Sequence, residues 1–343
     1  HRVFERLDIA GMVRAALVLP IIFALICSAI LISPSVRDLT QARRIAGQMS
    51  LAIAISDLVH EQQKERGVTA VYLNSGRTAF KDELAAQRAL TDERVADLSA
   101  AAASAGIEMG SEDPVARIII GLEEHSAIRS RVDDGAIPTG EAVRYYTNSN
   151  GAMLAQIGFV ASHTSQALLS HRLTEFFVFL LAKEQAGLER AVGAGGFAAG
   201  EFPVKTLLNL QARISEQSFA LAQLRTLVEP DHAELIDSLT TSNAADRVRA
   251  LRQIAFDFPG TMSTGGITGP DFFKAKTAEI ELMKDLETVL ANEILMTADD
   301  LASRNMRLLV FLLAVVGVGA VLIFATTVMA TRSINRHIGQ IVT

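Results

Sequence analysis

Two uncharged hydrophobic runs near the ends of this chain constrain its fold more than any other feature. The first extends from Ala15 to Val36, and the second from Leu308 to Thr331. At about 1.5 Å of rise per helical residue, each run is long enough to cross a hydrocarbon core of roughly 30 Å. We therefore predict two transmembrane helices. A cleaved signal peptide is the alternative for the first run, but no small-x-small cleavage site follows it.

Basic residues flank both predicted spans. They are Arg2, Arg6 and Arg14 before the first span, and Arg332 and Arg336 after the second. Because positive charge in short flanks favours the cytoplasmic side, residues 1–14 are predicted to form a cytoplasmic tail. Residues 37–307 then lie outside the inner membrane of a bacterium, in the periplasm or at the cell surface. The only cysteine, Cys27, is inside the first run, so the outer segment folds without a disulfide.

The composition indicates an all-α protein. Half of the residues are hydrophobic, Trp is absent and Pro occurs 8 times. Alternating Val, Ile and Thr bounded by turn signals, the pattern of strands, is also absent. The predicted fold is therefore two transmembrane helices flanking an extracytoplasmic helical domain. The net charge of −6 is mild and no basic stripe is seen, so we expect no nucleic-acid partner.

The outer segment contains a weak internal repeat. A shift of 124 residues, which places Glu189 against Glu65, also aligns Arg190 with Arg66 and Gly200 with Gly76. Such repetition predicts two four-helix bundles, at about 37–168 and 172–306. The expected helices are about 37–75, 78–104, 112–133 and 139–168, then 172–192, 203–228, 230–256 and 270–306. The last of these is expected to continue unbroken into the second span.

The repeated arginines are the candidate ligand site. Arg66 and Arg190 each lie near small residues, Gly67 and Gly187, which leave room for an inward-pointing side chain. A guanidinium is a planar fork that binds oxyanions through two hydrogen bonds. Two inward arginines would repel each other until an anion neutralised them and drew their helices together.

The neighbouring carboxylates have a different expected role. Adjacent residues on a helix point about 100° apart, so Glu65 and Glu189 are expected to anchor an arginine or a neighbouring helix. The alternative is that each Glu-Arg pair is only a structural salt bridge between helices, because charge-rich helical faces are usually solvated or paired.

Two motifs resemble the nitrate- and nitrite-sensing (NIT) domain of bacterial receptors. The first, Gln63 to Ala70, reads Gln-x-Glu-Arg-Gly-x-x-Ala, and the second, Lys183 to Ala191, reads Lys-Glu-x-Ala-Gly-x-Glu-Arg-Ala. The similarity covers roughly 50–290. It implies an all-helical sensor that binds nitrate, nitrite or a similar small anion through arginines at 66 and 190. It also implies a further binding arginine in the second unit's third helix, where the candidates are Arg247, Arg249 and Arg252.

The segment after the second span, residues 332–343, resembles the start of a HAMP linker, although His337 stands where such helices usually carry Pro. This resemblance predicts a homodimer and a methyl-accepting, kinase or cyclase output module beyond residue 343.

No catalytic or metal site is predicted, because the histidines are scattered and the one cysteine is in a span. No cofactor and no enzyme activity are expected. Three function classes remain: an anion-sensing receptor, a helical-bundle receptor for an amino or organic acid, and a structural membrane protein whose loop binds a protein partner.

Overall fold

A computed structural model describes residues 9–110 and 112–341, except for the side chains of 9–21, 23, 25, 27, 31, 330, 331 and 333–341. Its helices are α1 (Ile9–Asn74), α2 (Lys81–Ser104), α3 (Pro114–Gly121), α4 (His125–Asp133), α5 (Thr139–His163), α6 (Ala167–Ala199), α7 (Val204–Leu227), α8 (Pro230–Thr241), α9 (Asn243–Thr261) and α10 (Gly269–Ile341). These described residues contain no strand, which confirms the all-α prediction. Of the predicted cytoplasmic tail, Arg2 and Arg6 lie outside the described residues, as does the end of the HAMP-like segment.

The chain divides into two units. Residues 47–297 form one, which we call the bundle unit, and the residues up to Ala46 and from Ala298 form the other. Nearly all of both predicted repeats therefore lies in one compact unit. The division into two repeated four-helix bundles stays a prediction.

Local signals fix most helix ends where the sequence predicts them. The Asp113 side chain accepts a hydrogen bond from the Val115 N–H at 2.8 Å, and Pro114 opens α3. This is a favoured N-terminus, because the cap satisfies a free N–H and proline lacks one. The end of α6 differs: the helix continues to Ala199, beyond the expected end at 192. Gly200 follows it with a φ of 71°, a left-handed conformation that glycine adopts without a Cβ clash.

The third helix of each predicted unit differs from expectation, because each is broken. A 3-10 turn, Leu122–Glu124, separates α3 from α4 directly after Gly121, a residue of low helix propensity. The hydroxyl of Ser242 accepts a hydrogen bond from the Ala245 N–H at 3.1 Å and so caps a new helix, α9. The first helix also differs, since α1 is continuous through the boundary expected at residues 36 and 37.

Helix α6 is the centre of the bundle unit. Its side chains are buried along nearly its whole length, and it packs against α5, α7 and α9. Beside it, α7 buries Leu210 and Leu224, and the buried Gln217 between them accepts a hydrogen bond from Lys276. The main apolar core contains Val68, Val71, Tyr72, Leu84, Val132, Ile137, Ala142, Ala194, Phe197, Phe202, Leu210, Leu251, Ala255, Phe258, Phe272 and Phe273. Polar side chains on α6 thus lie deep inside the protein.

Among the described residues, one helical stretch, within Gly269–Met329, is long and apolar enough to cross a membrane. Large apolar side chains there, such as Val315 and Phe324, are exposed. Half of the side chains of the first predicted span, 15–36, belong to the part of the chain that is not described. The single long helix α10 continues from the bundle unit into this apolar segment, as expected.

Candidate functional site

Arg66 of α1 and Arg190 of α6 are both fully buried and lie beside each other. Their neighbouring glycines make this packing possible. A Cβ on Gly187 would lie 2.9 Å from Nη2 of Arg66, and a Cβ on Gly67 would lie 3.3 Å from Nε of Arg190. Gly187 therefore leaves room for the Arg66 guanidinium. Gly67 leaves room for the ring of Phe273, 2.7 Å from the added Cβ, and for Arg190. The structure brings together four of the residues that the sequence indicates.

Arg66 is paired with a carboxylate. Its Nη1 donates to Oε1 of Glu184 at 2.5 Å and to the hydroxyl of Thr147 at 3.1 Å. The same carboxylate accepts from Gln63 Nε2 at 2.7 Å and from Asn150 Nδ2 at 3.4 Å. The expectation that both arginines stand unpaired and repel each other is therefore wrong for Arg66, because Glu184 on α6 already neutralises it.

Arg190 is in a different state. Its Nη1 donates to the hydroxyl of Thr277 at 3.0 Å, and its guanidinium carbon lies 4.8 Å from the ring centre of Phe273. Within the described structure its Nε and Nη2 have no hydrogen-bond partner. Burial and then the charge of Arg66 lower the pKa of Arg190 to about 9, so it stays charged at neutral pH. A buried cation with free N–H groups is costly unless an anion completes it.

Glu65 and Glu189 anchor neighbouring helices, as the sequence suggests. Glu65 accepts from Arg129 at 2.7 and 2.8 Å and from the Tyr146 hydroxyl at 2.7 Å. Glu189 accepts from Arg252 at 2.6 and 2.7 Å and pairs with Lys276. Burial alone would raise the pKa of each carboxyl, but these cations outweigh it and hold each pKa below its usual value. Among the described residues, each glutamate thus pairs with cations elsewhere in the chain and not with the arginine that follows it in the sequence.

The third-helix candidates do not join the two buried arginines. Arg252 donates a hydrogen bond to Glu189, so it supports the site by positioning that glutamate. Arg249 is exposed on α9, where it pairs with Asp246 and donates to the Thr240 carbonyl at 2.8 Å. Arg247 is exposed as well. The prediction of a ligand arginine at 247 or 249 does not fit this geometry, because neither side chain points into the core.

Several site residues escaped the sequence analysis. Glu184 stands within the second motif, three residues before Gly187, so helical spacing alone could have placed these two residues on one face. Thr277 and Phe273 carry no such signal. They come from α10, and Arg190 is separated from Thr277 by 87 residues.

A second buried ionic cluster lies next to the site along α6. Lys183 pairs with Glu287, which also accepts from Ser56 at 2.6 Å and from Lys284 at 2.7 Å. Lys284 reaches Asp57 at 2.6 Å. This cluster ties α1, α6 and α10 together. Each of its charged groups has a counter-charge among the described residues, so the cluster contributes rigidity.

The chemistry available at Arg66 and Arg190 is that of an anion site. Two buried cations lie beside each other, and one of them, Arg66, forms an ion pair with Glu184. The charges of Glu281, Glu184 and Glu61 also act on Arg190. The surrounding donors are guanidinium and amide N–H groups, which bind oxyanions. Among the described residues no group of three or more His, Cys, Asp or Glu side chains is arranged to hold a metal ion.

Comparison with known proteins agrees with this chemistry. The family model described as nitrate and nitrite sensing matches residues 57–295. The nitrate regulatory protein of Klebsiella oxytoca is 29% identical over 263 residues, which are 76% of this chain and 66% of that protein. The chain therefore spans slightly less than two thirds of that relative. A solved structure, that of the NasR transcription antiterminator, matches with a TM-score of 0.69 and 28% identity over 85% of this chain and 80% of the other.

The last comparison corrects one prediction. The exclusion of a nucleic-acid partner is wrong, because a protein similar in fold and sequence is a transcription antiterminator, and transcription involves nucleic acid. The exclusion relied on the mild net charge and the absence of a basic stripe. Those features describe the sensing segment and carry no information about what a sensor of this fold is joined to.

Proposed function

Since the chain belongs to the nitrate and nitrite sensing family, we propose that its bundle unit senses nitrate or nitrite by binding the anion between Arg66 and Arg190. A small planar oxyanion offers acceptors for the free Nε and Nη2 of Arg190 and for the fork of Arg66. The observation that carries the proposal is the unsatisfied, fully buried guanidinium of Arg190. An anion would supply the charge that this group lacks.

The proposed signal begins at α10. This helix provides Thr277 and Phe273 to Arg190, so any movement of Arg190 toward a bound anion changes contacts that α10 makes. The anion shifts the balance between two packings by binding one of them more tightly. Helix α10 is continuous from Gly269 to Ile341, so it links the site to the apolar segment within one element.

We further propose that the protein is a membrane receptor with its sensing unit outside the inner membrane. The apolar stretch of α10 and the uncharged run at 15–36 support two spans. The basic flanks support cytoplasmic ends. The receptor would transmit the state of the anion site to an output module in the cytoplasm.

Titration calorimetry on the full chain in mild detergent tests the anion site. Sodium nitrate is titrated into the wild type and into Arg190→Met and Arg66→Met, with sodium chloride at equal ionic strength as the ion control. Arg225→Met is the matched protein control, because Arg225 is exposed on α7 and pairs only with Asp237 among the described residues. We expect nitrate binding in the wild type and in Arg225→Met, and none in the other two. Undiminished binding in Arg190→Met would overturn the proposal.

Cysteine labelling tests the topology. In a Cys27→Ser background, Met262→Cys places a thiol on the exposed end of α9, where the methionine is 74% exposed. A membrane-impermeant maleimide should label it in intact cells with a permeabilised outer membrane. Arg332→Cys should be labelled only after lysis. The reverse pattern would contradict a sensing unit outside the inner membrane.

A further inference from the structure

Glu184 occupies the donors that a ligand at Arg66 would need. Its carboxylate accepts hydrogen bonds from Arg66 Nη1, Gln63 Nε2 and Asn150 Nδ2. All three donors are fully or almost fully buried. They surround a planar group with two equivalent oxygens and a single negative charge. That description also fits nitrite, and nitrate adds only a third oxygen in the same plane.

We propose that Glu184 is an internal competitor for the anion, which resembles the ligand and sets the affinity of the site. This inference rests on the proposed function. An anion that binds the guanidinium of Arg66 must displace the Glu184 carboxylate. The free Nε and Nη2 donors of the adjacent Arg190 can also bind that anion. The amides of Gln63 and Asn150 can then donate to the new anion without leaving their positions.

The contacts around Glu184 favour competition over simple anchoring. The neighbouring Lys183 is paired with Glu287 and is not available to it. Arg66 is thus the one cation with which Glu184 forms an ion pair among the described residues. The carbonyl oxygens of Gln63 and Asn150 have no partner there, so these amides are held by what their N–H groups bind. The donors around Glu184 therefore form a binding site for a planar anion.

The proposal also accounts for selectivity. Because the competitor is itself a planar carboxylate, an ion that binds Arg66 weakly cannot displace it. Chloride offers a single point acceptor and cannot replace two hydrogen bonds to a guanidinium fork. A carboxylate ligand gains no geometric advantage over Glu184.

A second glutamate provides the matched control. Glu281 also lies near Arg190, and its charge raises the pKa of that arginine, as the charge of Glu184 does. Glu281 pairs with Lys64 at 3.0 Å and makes no ion pair with either buried arginine in the described structure. If removing any negative charge near the site strengthened binding, Glu281→Gln and Glu184→Gln would act alike. Direct competition predicts that only Glu184→Gln acts strongly.

The experiment is nitrate titration calorimetry on the full chain in detergent, with folding checked by thermal melting. A charge-assisted hydrogen bond is worth roughly 1 kcal/mol more than a neutral one, so Glu184→Gln should tighten the Kd about fivefold to tenfold. Glu281→Gln should change it less than about twofold. Glu184→Asp keeps the charge but shortens the reach toward Arg66 by one methylene, and it should also tighten the Kd. It is the second test if Glu184→Gln folds poorly.

The outcomes separate this inference from the proposed function. If nitrate binds the wild type, and binds both Glu184 variants with equal or lower affinity, the internal competitor is overturned and the anion site is not. Equal strengthening in Glu184→Gln and Glu281→Gln would also overturn it, in favour of a general field effect. Nitrate binding in no variant would overturn the proposed function, and the competitor with it.

Discussion

The Nη1 atom of Arg190 donates a hydrogen bond to the hydroxyl of Thr277 over 3.0 Å, and this is its one hydrogen bond among the described residues. Thr277 therefore determines the orientation of the guanidinium, and with it the direction of the free Nε and Nη2 donors. We expect Thr277→Val to weaken nitrate binding about fivefold to tenfold, since a hydrogen bond to a charged group contributes roughly 1.5 kcal/mol. Thr277→Ser should bind like the wild type. Thr288→Val, an exposed threonine of α10, is the control, and equal loss in both valine variants would contradict this role.

The two arginines should differ in their effect on stability. Arg66→Met leaves Glu184 buried without a cation, which should lower the free energy of unfolding by about 3–5 kcal/mol. Arg190→Met removes a buried charge that has no carboxylate partner, and it should lower that free energy by less than about 1 kcal/mol or raise it. Urea unfolding in nitrate-free buffer measures both values. Equal losses would show that Arg190 has a structural counter-charge.

The glycine beside Arg66 should be essential for binding. Gly187→Ala places a Cβ 2.9 Å from Nη2 of Arg66, so the guanidinium must shift away from its partners. We expect the nitrate Kd to rise at least about tenfold, given that lost charged hydrogen bonds cost roughly 1.5–3 kcal/mol. Gly151→Ala in α5 is the control, because nothing lies within 4 Å of its added Cβ. That variant should keep its affinity and gain about 0.5–1 kcal/mol of stability. Wild-type affinity in Gly187→Ala would contradict the packing.

Stability should fall as the pH drops below 6.5. Burial, and then the charges of Lys183, Lys64 and Lys284, hold the pKa of His60 well below its ordinary 6.5. In this range the unfolded chain binds a proton that the folded chain does not, so the free energy of the unfolded state falls relative to that of the folded state as the pH drops. Each such histidine contributes up to about 1.4 kcal/mol per pH unit.

Urea titrations between pH 7.5 and 5.5 measure this dependence above the range where carboxylates titrate. His60→Gln should reduce the slope of stability against pH, and the remaining slope reports His125, whose pKa burial also lowers. His163→Gln, at an exposed position, should leave the slope unchanged. An unchanged slope in His60→Gln would show that the buried ring gains its proton in the folded state.

Sequence alone predicts the features that are local. A signal such as Pro230 acts on the next few residues, so the start of α8 follows from it. The sequence does not predict the break at Ser242, because a serine inside an apolar pattern is also compatible with a continuous helix. The hydrogen bond from the Ala245 N–H to the Ser242 hydroxyl is seen only in the structure.

The candidate site divides in the same way. Arg66, Arg190 and their glycines are indicated by motif and spacing. The pairing of Arg66 with Glu184 and the lack of a carboxylate at Arg190 depend on how α1 and α6 face each other. No pattern within one helix contains that information, which is why the sequence leaves both arginines equivalent.

The reciprocal packing of each arginine against the other helix's glycine has a consequence for how such a chain can diverge. A side chain added at residue 187 must be matched by a shorter residue at 66, and one added at 67 would meet the ring of Phe273 at 2.7 Å and Arg190 at 3.3 Å. Single replacements at these four positions each damage the site. Substitutions at these positions must therefore occur in pairs, on separate helices. A lineage that changes ligand passes through a form that binds no anion before this region fits another ligand.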